Sequence, residues 1–287
     1  MIATKFKIRS AASGNIATFD LSGMTPNSPY ILKGVTGLSA SDVMPMNYGS
    51  SFTGTPYYEM SLASREISMK IGLNPIYSES GLREDLRDSL YKSIYAARDP
   101  RLWFDIYNNS EHVATIGGLV TKLEASHFTA KPDVELTIKC SEPFFKANAR
   151  TEIETTNYNQ LPHLIVDYNN GSAPVGFRAS FQLNSSATSF GFLSGDDCWE
   201  FIVEHDFLAG DIVYFSSEYG EKNIYSYSPS LHTTGSSGIT RLADKLTSTA
   251  IWPILFPGVN NFELTAPPGV TDFTLVTCSY HASFWGV

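Results

Sequence analysis

The sequence is poor in cysteine, with three in 287 residues, at Cys140, Cys198 and Cys278. Three scattered thiols build neither a disulfide framework nor a C-x-x-C metal knuckle. They fit a chain made in a reducing cytosol, as small buried apolar residues. Long apolar runs are missing as well. No stretch approaches the roughly 18–20 apolar residues that span a bilayer as a helix. The opening MIATKFKIRSAASG is basic but has no apolar leader core, so export by a cleaved leader is not expected. Without that route, the N-x-S/T matches at Asn108, Asn170 and Asn184 read as chance. No G-x-S-x-G elbow, P-loop or G-x-G-x-x-G is present. The six histidines (His112, His127, His163, His205, His232 and His281) never pair at metal-ligand spacing and read as surface or core imidazoles.

Cations are scarce in one half only. Residues 1–149 hold 15 Lys and Arg against 15 Asp and Glu, whereas residues 150–287 hold 5 against 14. The whole net charge of −9 therefore lies in the second half, which is a poor partner for a phosphate backbone.

What is present favours strands. Aromatics make up 13% of the chain, with 21 Gly and 15 Pro, a composition of strands and turns around an apolar core. The length suffices for two domains. Alternation marks strands at Lys5–Arg9, Ile16–Leu21, around Tyr30-Ile31-Leu32, at Arg65–Ile71, at Leu102-Phe104-Ile106 and, most cleanly, from Val134 to Cys140. Gly34 and Gly37 suggest a bend or close approach, and residues 44–57 read as an extended loop. Asn108-Asn109-Ser110 reads as a turn, and Val113–Leu123 as a strand region interrupted by Gly117-Gly118.

One long amphipathic helix stands out. Leu82, Leu86, Leu90 and Ile94 recur every fourth residue, with Ala97 three further on. Ser78 or Ser80 can cap it, Glu84 and Asp85 suit its N-terminal dipole, Arg98 its other end, and Pro100 stops it. A lone helix of about sixteen residues is marginal in water, so this stripe is expected to plug or cover a β-structure. Its polar face carries both signs, with Arg83, Arg87 and Lys92 beside Glu84, Asp85 and Asp88, and is the candidate interface.

The alternation breaks at Ser141–Thr151, and the charge balance shifts there, which places a boundary near residue 149. Beyond it, Asn169-Asn170-Gly171 reads as a hairpin turn after Leu164-Ile165-Val166. Phe177–Leu183, Trp199–Val203, Ile212–Phe215, Ile224–Tyr227, Phe262–Leu264 and Phe273–Tyr280 read as strands of a β-sandwich. Asp196-Asp197 with Glu200 could bind calcium or act as paired acids, but lack D-x-D-x-D-G spacing; a solvated turn is the plainer reading. Glu204 and Asp206 fit a solvent-facing strand side, and Gly235-Ser236-Ser237-Gly238 a turn. Trp199 and the tyrosines could stack on sugars or sit in the core.

An ordered set of segments then resembles the distal tail proteins of long-tailed bacteriophages. It comprises YILKGVTGLSASDV, the glycine-rich loop to Gly54, REISMKI, LREDLRDSLYKSIYAARDP with RLWFDIYN, and ELTIKCSEPFF. In the second half it comprises DYNNGSAPVGFRASF, GDIVYF, WPILFPGVNNFEL and the closing SYHASFWGV. The resemblance implies a mainly β chain. Residues 1–149 would form a β-barrel-like belt domain with one flanking helix, and residues 150–287 a galectin-like sandwich. It implies a six-membered ring at the tail tip, joining the tail tube protein to the tail hub or fibre protein around the DNA channel. It implies a virion location after assembly in the bacterial cytoplasm, no enzyme activity, no cofactor or metal, and no membrane. No insertion large enough for a receptor-binding arm is present. The galectin-like label itself implies no sugar site.

Two other classes stay open on the residues: a carbohydrate-binding module, and a glycosidase using two of the second-half carboxylates, with Asp196, Asp197, Glu200 and Glu204 the ones to test by mutation. The charge split further places ring closure in residues 1–149, with the acidic domain outside.

Overall fold

The structure, a computed structural model, describes residues 5–10, 14–20, 28–40, 43–47, 58–77, 81–95, 100–126, 133–153, 163–193, 200–229, 238–265 and 273–286. It is mainly β and antiparallel, with one long α-helix among the described residues. The chain divides into two compact units, Met1–Asn148 with Phe284–Val287, and Ala149–Ser283.

The first unit contains β1 (Lys5–Ser10), β2 (Gly14–Asp20), β3 (Tyr30–Thr36), β4 (Val43–Asn47), β5 (Tyr58–Leu62), β6 (Arg65–Leu73), α1 (Arg83–Ile94), β7 (Arg101–Asn108), β8 (Glu111–Ala125) and β9 (Asp133–Cys140). Seven strands pair in the order β2-β1-β7-β8-β9-β6-β3. The long β8 makes this possible: up to Leu119 it pairs with β7, and from Leu119 onward with β9. The end strands β2 and β3 approach each other, so the sheet curls towards a barrel. Period-two alternation puts Phe6, Ile8, Ile67, Met69, Ile71, Leu102, Phe104, Ile106, Leu136 and Ile138 inside.

Helix α1 closes this core with Leu86, Leu90 and Ile94, all buried, a contribution of about 4–9 kcal/mol as an upper estimate. The Tyr30 hydroxyl donates to the Leu86 carbonyl at 3.0 Å and ties the helix to β3. The helix spans 12 residues, fewer than the apolar stripe suggested, because Tyr95 already caps it through its N–H to the Tyr91 carbonyl. Its N-cap is Leu82, in extended conformation and with no side-chain cap, and Lys92 is the cation of its last turn. Ser78, Ser80, Ala97 and Arg98 lie outside the described residues.

Two loop readings are corrected. Residues 44–47 belong to β4, which pairs with β5; residues 48–57 lie outside the described residues. Gly117-Gly118 does not interrupt β8. A Cβ at Gly118 would stand 2.8 Å from the Lys139 carbonyl, and one at Gly117 3.0 Å from the Trp103 indole, so these glycines permit close approach.

Ser141–Thr151 is also more ordered than the broken alternation implied. It contains most of β10 (Phe145–Glu152), whose residues 145–148 belong to the first unit and 149–152 to the second.

The second unit adds β11 (His163–Tyr168), β12 (Phe177–Leu183), β13 (Ala187–Leu193), β14 (Glu200–Phe207), β15 (Ile212–Ser216), β16 (Asn223–Tyr227), β17 (Ile239–Arg241), β18 (Gly258–Thr265) and β19 (Phe273–Phe284). One sheet runs β11-β18-β13-β14, the other β19-β12-β15-β16-β17. Phe177, Phe181 and Phe215 of the latter meet Phe190, Phe192, Phe201 and Phe262 of the former, so the sheets face each other across a phenylalanine core. The hairpin expected at Asn169-Asn170-Gly171 does not form: β11 pairs with β18, and β12 with β15 and β19. The turn instead carries the chain between sheets, and Gly171 is needed because a Cβ there would overlap the Tyr168 hydroxyl at 1.9 Å.

Candidate assembly surface

All six helix residues proposed from sequence fall on one element, off its buried stripe. Glu84, Asp85, Asp88 and Lys92 are exposed, and Arg83 and Arg87 half-buried. Arg87 pairs with Asp88 at 3.1 Å. An exposed pair of this kind contributes about 0–1 kcal/mol, so the face is not needed for folding.

A second polar surface lies on the outer side of β3, β6, β9 and β8. Lys33 and Lys70 both reach Asp133, the latter at 3.4 Å, and Lys122 reaches Glu135 at 2.8 Å and Glu124 at 3.3 Å. A groove of about 500 Å³ runs over these strands, lined by Gly34, Ser68, Lys70, Glu124, Asp133 and Glu135. Partial burial pushes the Asp133 pKa up, but Lys33 and Lys70 outweigh it and hold the carboxyl below its usual value. Hydrogen bonding to Glu135 and Glu124 raises the Lys122 pKa. Each carboxylate named here has a lysine partner, which suits fixing strand register rather than proton transfer.

Among the buried charges, Asp105 and Arg65 of the first unit were not legible in the sequence. Asp105 lies in β7 with 1% exposure, on the side away from Phe104 and Ile106. Arg9 grips both its oxygens, Thr115 donates to Oδ1 at 2.8 Å, and His112 Nε2 lies 3.5 Å away. This bond is the main cause of a raised Arg9 pKa. His112 also stacks on Tyr107 at 4.7 Å, and Lys7 sits 4.6 Å from that ring's centre.

Arg65, 4% exposed, is a second such charge, and it is held by backbone carbonyls. It donates to the carbonyls of Pro143, Gly37, Ser39 and Trp285, and its guanidinium packs over Phe145 at 4.8 Å. Burial lowers its pKa. Nothing local marks either residue, because the strand register that supplies their partners is not written in the flanking sequence.

In the second unit, Glu204 and Asp206 are exposed on β14, and Glu200 accepts from Thr249 at 2.6 Å. Asp196, Asp197, Trp199, Cys198, His127, His232 and 235–237 lie outside the described residues. Among the described residues no group of three His, Cys, Asp or Glu could hold a metal, and no helix is long and apolar enough to cross a membrane.

No protein-family model and no curated protein sequence matches the chain. Among solved structures it is similar to the Dit protein of phage SPP1, described as a paradigm of the hub adsorption apparatus of phages infecting Gram-positive bacteria. The TM-score is 0.61 at 15% identity, covering 97% of this chain and 99% of that one. A component of the phage P2 baseplate matches over 98% of both chains at 8% identity, but its TM-score of 0.44 is too low to carry an argument. The chain thus has the fold of a phage distal tail protein along almost its whole length.

Proposed function

We propose that this chain is a structural component of a phage tail tip, forming a six-membered ring that joins the tail tube protein to the tail hub or fibre protein and encloses the DNA channel. The observation that carries this reading is the similarity to SPP1 Dit, which runs end to end through both chains. The remaining features agree with it. The first unit packs a buried apolar core, the groove side of β3, β6, β9 and β8 is arranged as ion pairs, and SPP1 Dit is a phage hub protein rather than an enzyme.

In this reading residues 1–149 are the belt that closes the ring, the α1 face of Arg83, Glu84, Asp85, Arg87, Asp88 and Lys92 is one joint, and residues 150–287 are the galectin-like sandwich. Closure uses heterologous contacts. The protein is assembled in the bacterial cytoplasm and resides in the virion, without a cofactor, a membrane partner or specific DNA binding.

Native mass spectrometry of the full chain, alone and with its tube protein, tests the ring. Six chains of 31.6 kDa give a species of about 190 kDa. A strict monomer at high concentration, with no assembly on the tube protein, would count against it.

A further inference from the structure

Two sheet faces of the chain carry opposite and one-sided charge. On the first unit, β1 buries Phe6 and Ile8 and turns Lys5, Lys7 and Arg9 outward. Register places them beside Tyr107, Asp105 and Trp103 of β7, with Arg101 exposed on the same side. Asp105 is buried and held by Arg9, and Asp20 stands opposite Lys5 on β2. Lys5 and Lys7 make no ion pair among the described residues, unlike Lys33, Lys70 and Lys122 on the groove side. Arginine, tryptophan and tyrosine are also the side chains that dominate binding energy at protein interfaces.

On the second unit, the sheet β11-β18-β13-β14 contains no Lys or Arg at all. Its inner side is Leu164, Val166, Phe192, Val203 and Phe262. Its outer side exposes Asp167, Glu204 and Glu263 together with Val259, 73% exposed, and Ile165. The arginines carried by this unit's strands lie elsewhere: Arg178 and Arg241 on the other sheet and Arg150 on β10, with Arg150 and Arg178 both binding Glu218.

We propose that the cationic β1–β7 face of one copy receives the acidic β11-β18-β13-β14 face of a second copy. The charges are complementary, and each face adds apolar area, Trp103 and Tyr107 on one and Val259 and Ile165 on the other. Because each copy carries both faces, the contact is heterologous and repeats from copy to copy. It is an electrostatic joint additional to the closure proposed above, and it sets register and association rate more than affinity.

Sedimentation velocity of the full chain at about 50 mM and about 500 mM salt tests it. Wild type is compared with Lys5→Glu/Lys7→Glu, with Glu204→Lys/Glu263→Lys and with the fourfold exchange, each checked for an unchanged melting profile. Each double variant is expected to weaken low-salt association about tenfold or more, and the fourfold exchange to restore it to within about threefold. Restoration is the result that loss of structure does not produce. Wild type that fails to associate at low salt, unchanged association in both double variants, or a fourfold variant no better than either would overturn the joint. So would loss of duplex-DNA binding in Lys5→Glu/Lys7→Glu with self-association unchanged, which would assign the face to nucleic acid. A ring of about 190 kDa that survives all these substitutions would leave the ring standing while removing this joint.

Discussion

The guanidinium of Arg65 donates to the backbone carbonyl of Trp285, 220 residues further along the chain. The same group holds the carbonyls of Gly37, Ser39 and Pro143, so one cation gathers three separate segments of the first unit. Trp285 adds an edge-on contact with Phe144 at 4.9 Å, and a Cβ at Gly286 would press to 3.0 Å from the Leu38 carbonyl. Trp285 and Gly286 are therefore fitted to the 37–40 segment. Arg65→Met leaves buried carbonyls without donors and is expected to cost about 2–4 kcal/mol. Removing residues 285–287 is expected to cost less. The two changes together should cost less than their sum, because they disrupt one network. Urea melts of the four proteins measure this, and strict additivity would show that Arg65 and the terminus act separately.

Helix α1 separates packing from assembly. Leu90 is fully buried at the centre of the stripe, so Leu90→Ala should cost about 2–5 kcal/mol. Asp88→Arg and Lys92→Glu alter only exposed positions and should move stability by no more than about 0.5 kcal/mol. If the helix face is a ring joint, the same two changes reduce the assembled fraction seen by native mass spectrometry. Assembly unaffected by both would remove the helix face from the interface.

The Asp133 cluster gives a pH signature. Its carboxyl titrates below the ordinary 3.8 in the folded protein, because Lys33 and Lys70 outweigh its partial burial. The unfolded chain then takes up the proton first as pH falls, so stability from this group is present above the unfolded pKa and is lost as pH drops through the folded one. The difference in melting temperature between wild type and Asp133→Asn should be full near pH 6 and shrink progressively as pH falls below the ordinary 3.8. A difference that stays constant over that range would mean that the lysines do not hold the carboxylate.

Much of the first unit was legible because its strands follow a strict period of two. Arg65–Ile71 and Val134–Cys140 alternate without a break and pair with one another along their whole length. The turn at Asn109 was legible too, since its positive φ of 55° suits asparagine. Failures came where local grammar meets distant partners. Asn169-Asn170-Gly171 has hairpin chemistry, yet Tyr168 requires the glycine and the strands on either side join different sheets. Gly117-Gly118 looks like a break until Trp103 and Cys140 are placed against it. Strand β13, ATSFGFL, was missed because its alternation is weak and Phe190, Gly191 and Phe192 are all buried. On the candidate surface, the polar side of the helix was readable from its period, but the Asp105 and Arg65 clusters depend on register across 96 and 220 residues.

The buried cysteines offer a reporter in each unit. Burial pushes the thiols of both Cys140 and Cys278 up to about 12, since a thiolate without solvent is disfavoured. At pH 8 only about one thiol in ten thousand would then be ionised, and reaction with a disulfide reagent needs the thiolate. In Cys198→Ser, neither remaining thiol should label in the folded protein, and both should label at once in strong denaturant. Slow labelling in the folded state then reads local opening, with Cys140 reporting on β9 and Cys278 on β19. Arg65 sits directly opposite Cys140 in the β6–β9 register. Arg65→Met should therefore speed labelling of Cys140, by about tenfold or more if opening near β6 becomes easier by at least 1.4 kcal/mol. Cys278 belongs to the second unit and should label at its original rate. Mass spectrometry of peptides after timed labelling resolves the two sites. Equal acceleration at both would mean that the substitution lowers global stability and that the units do not open independently.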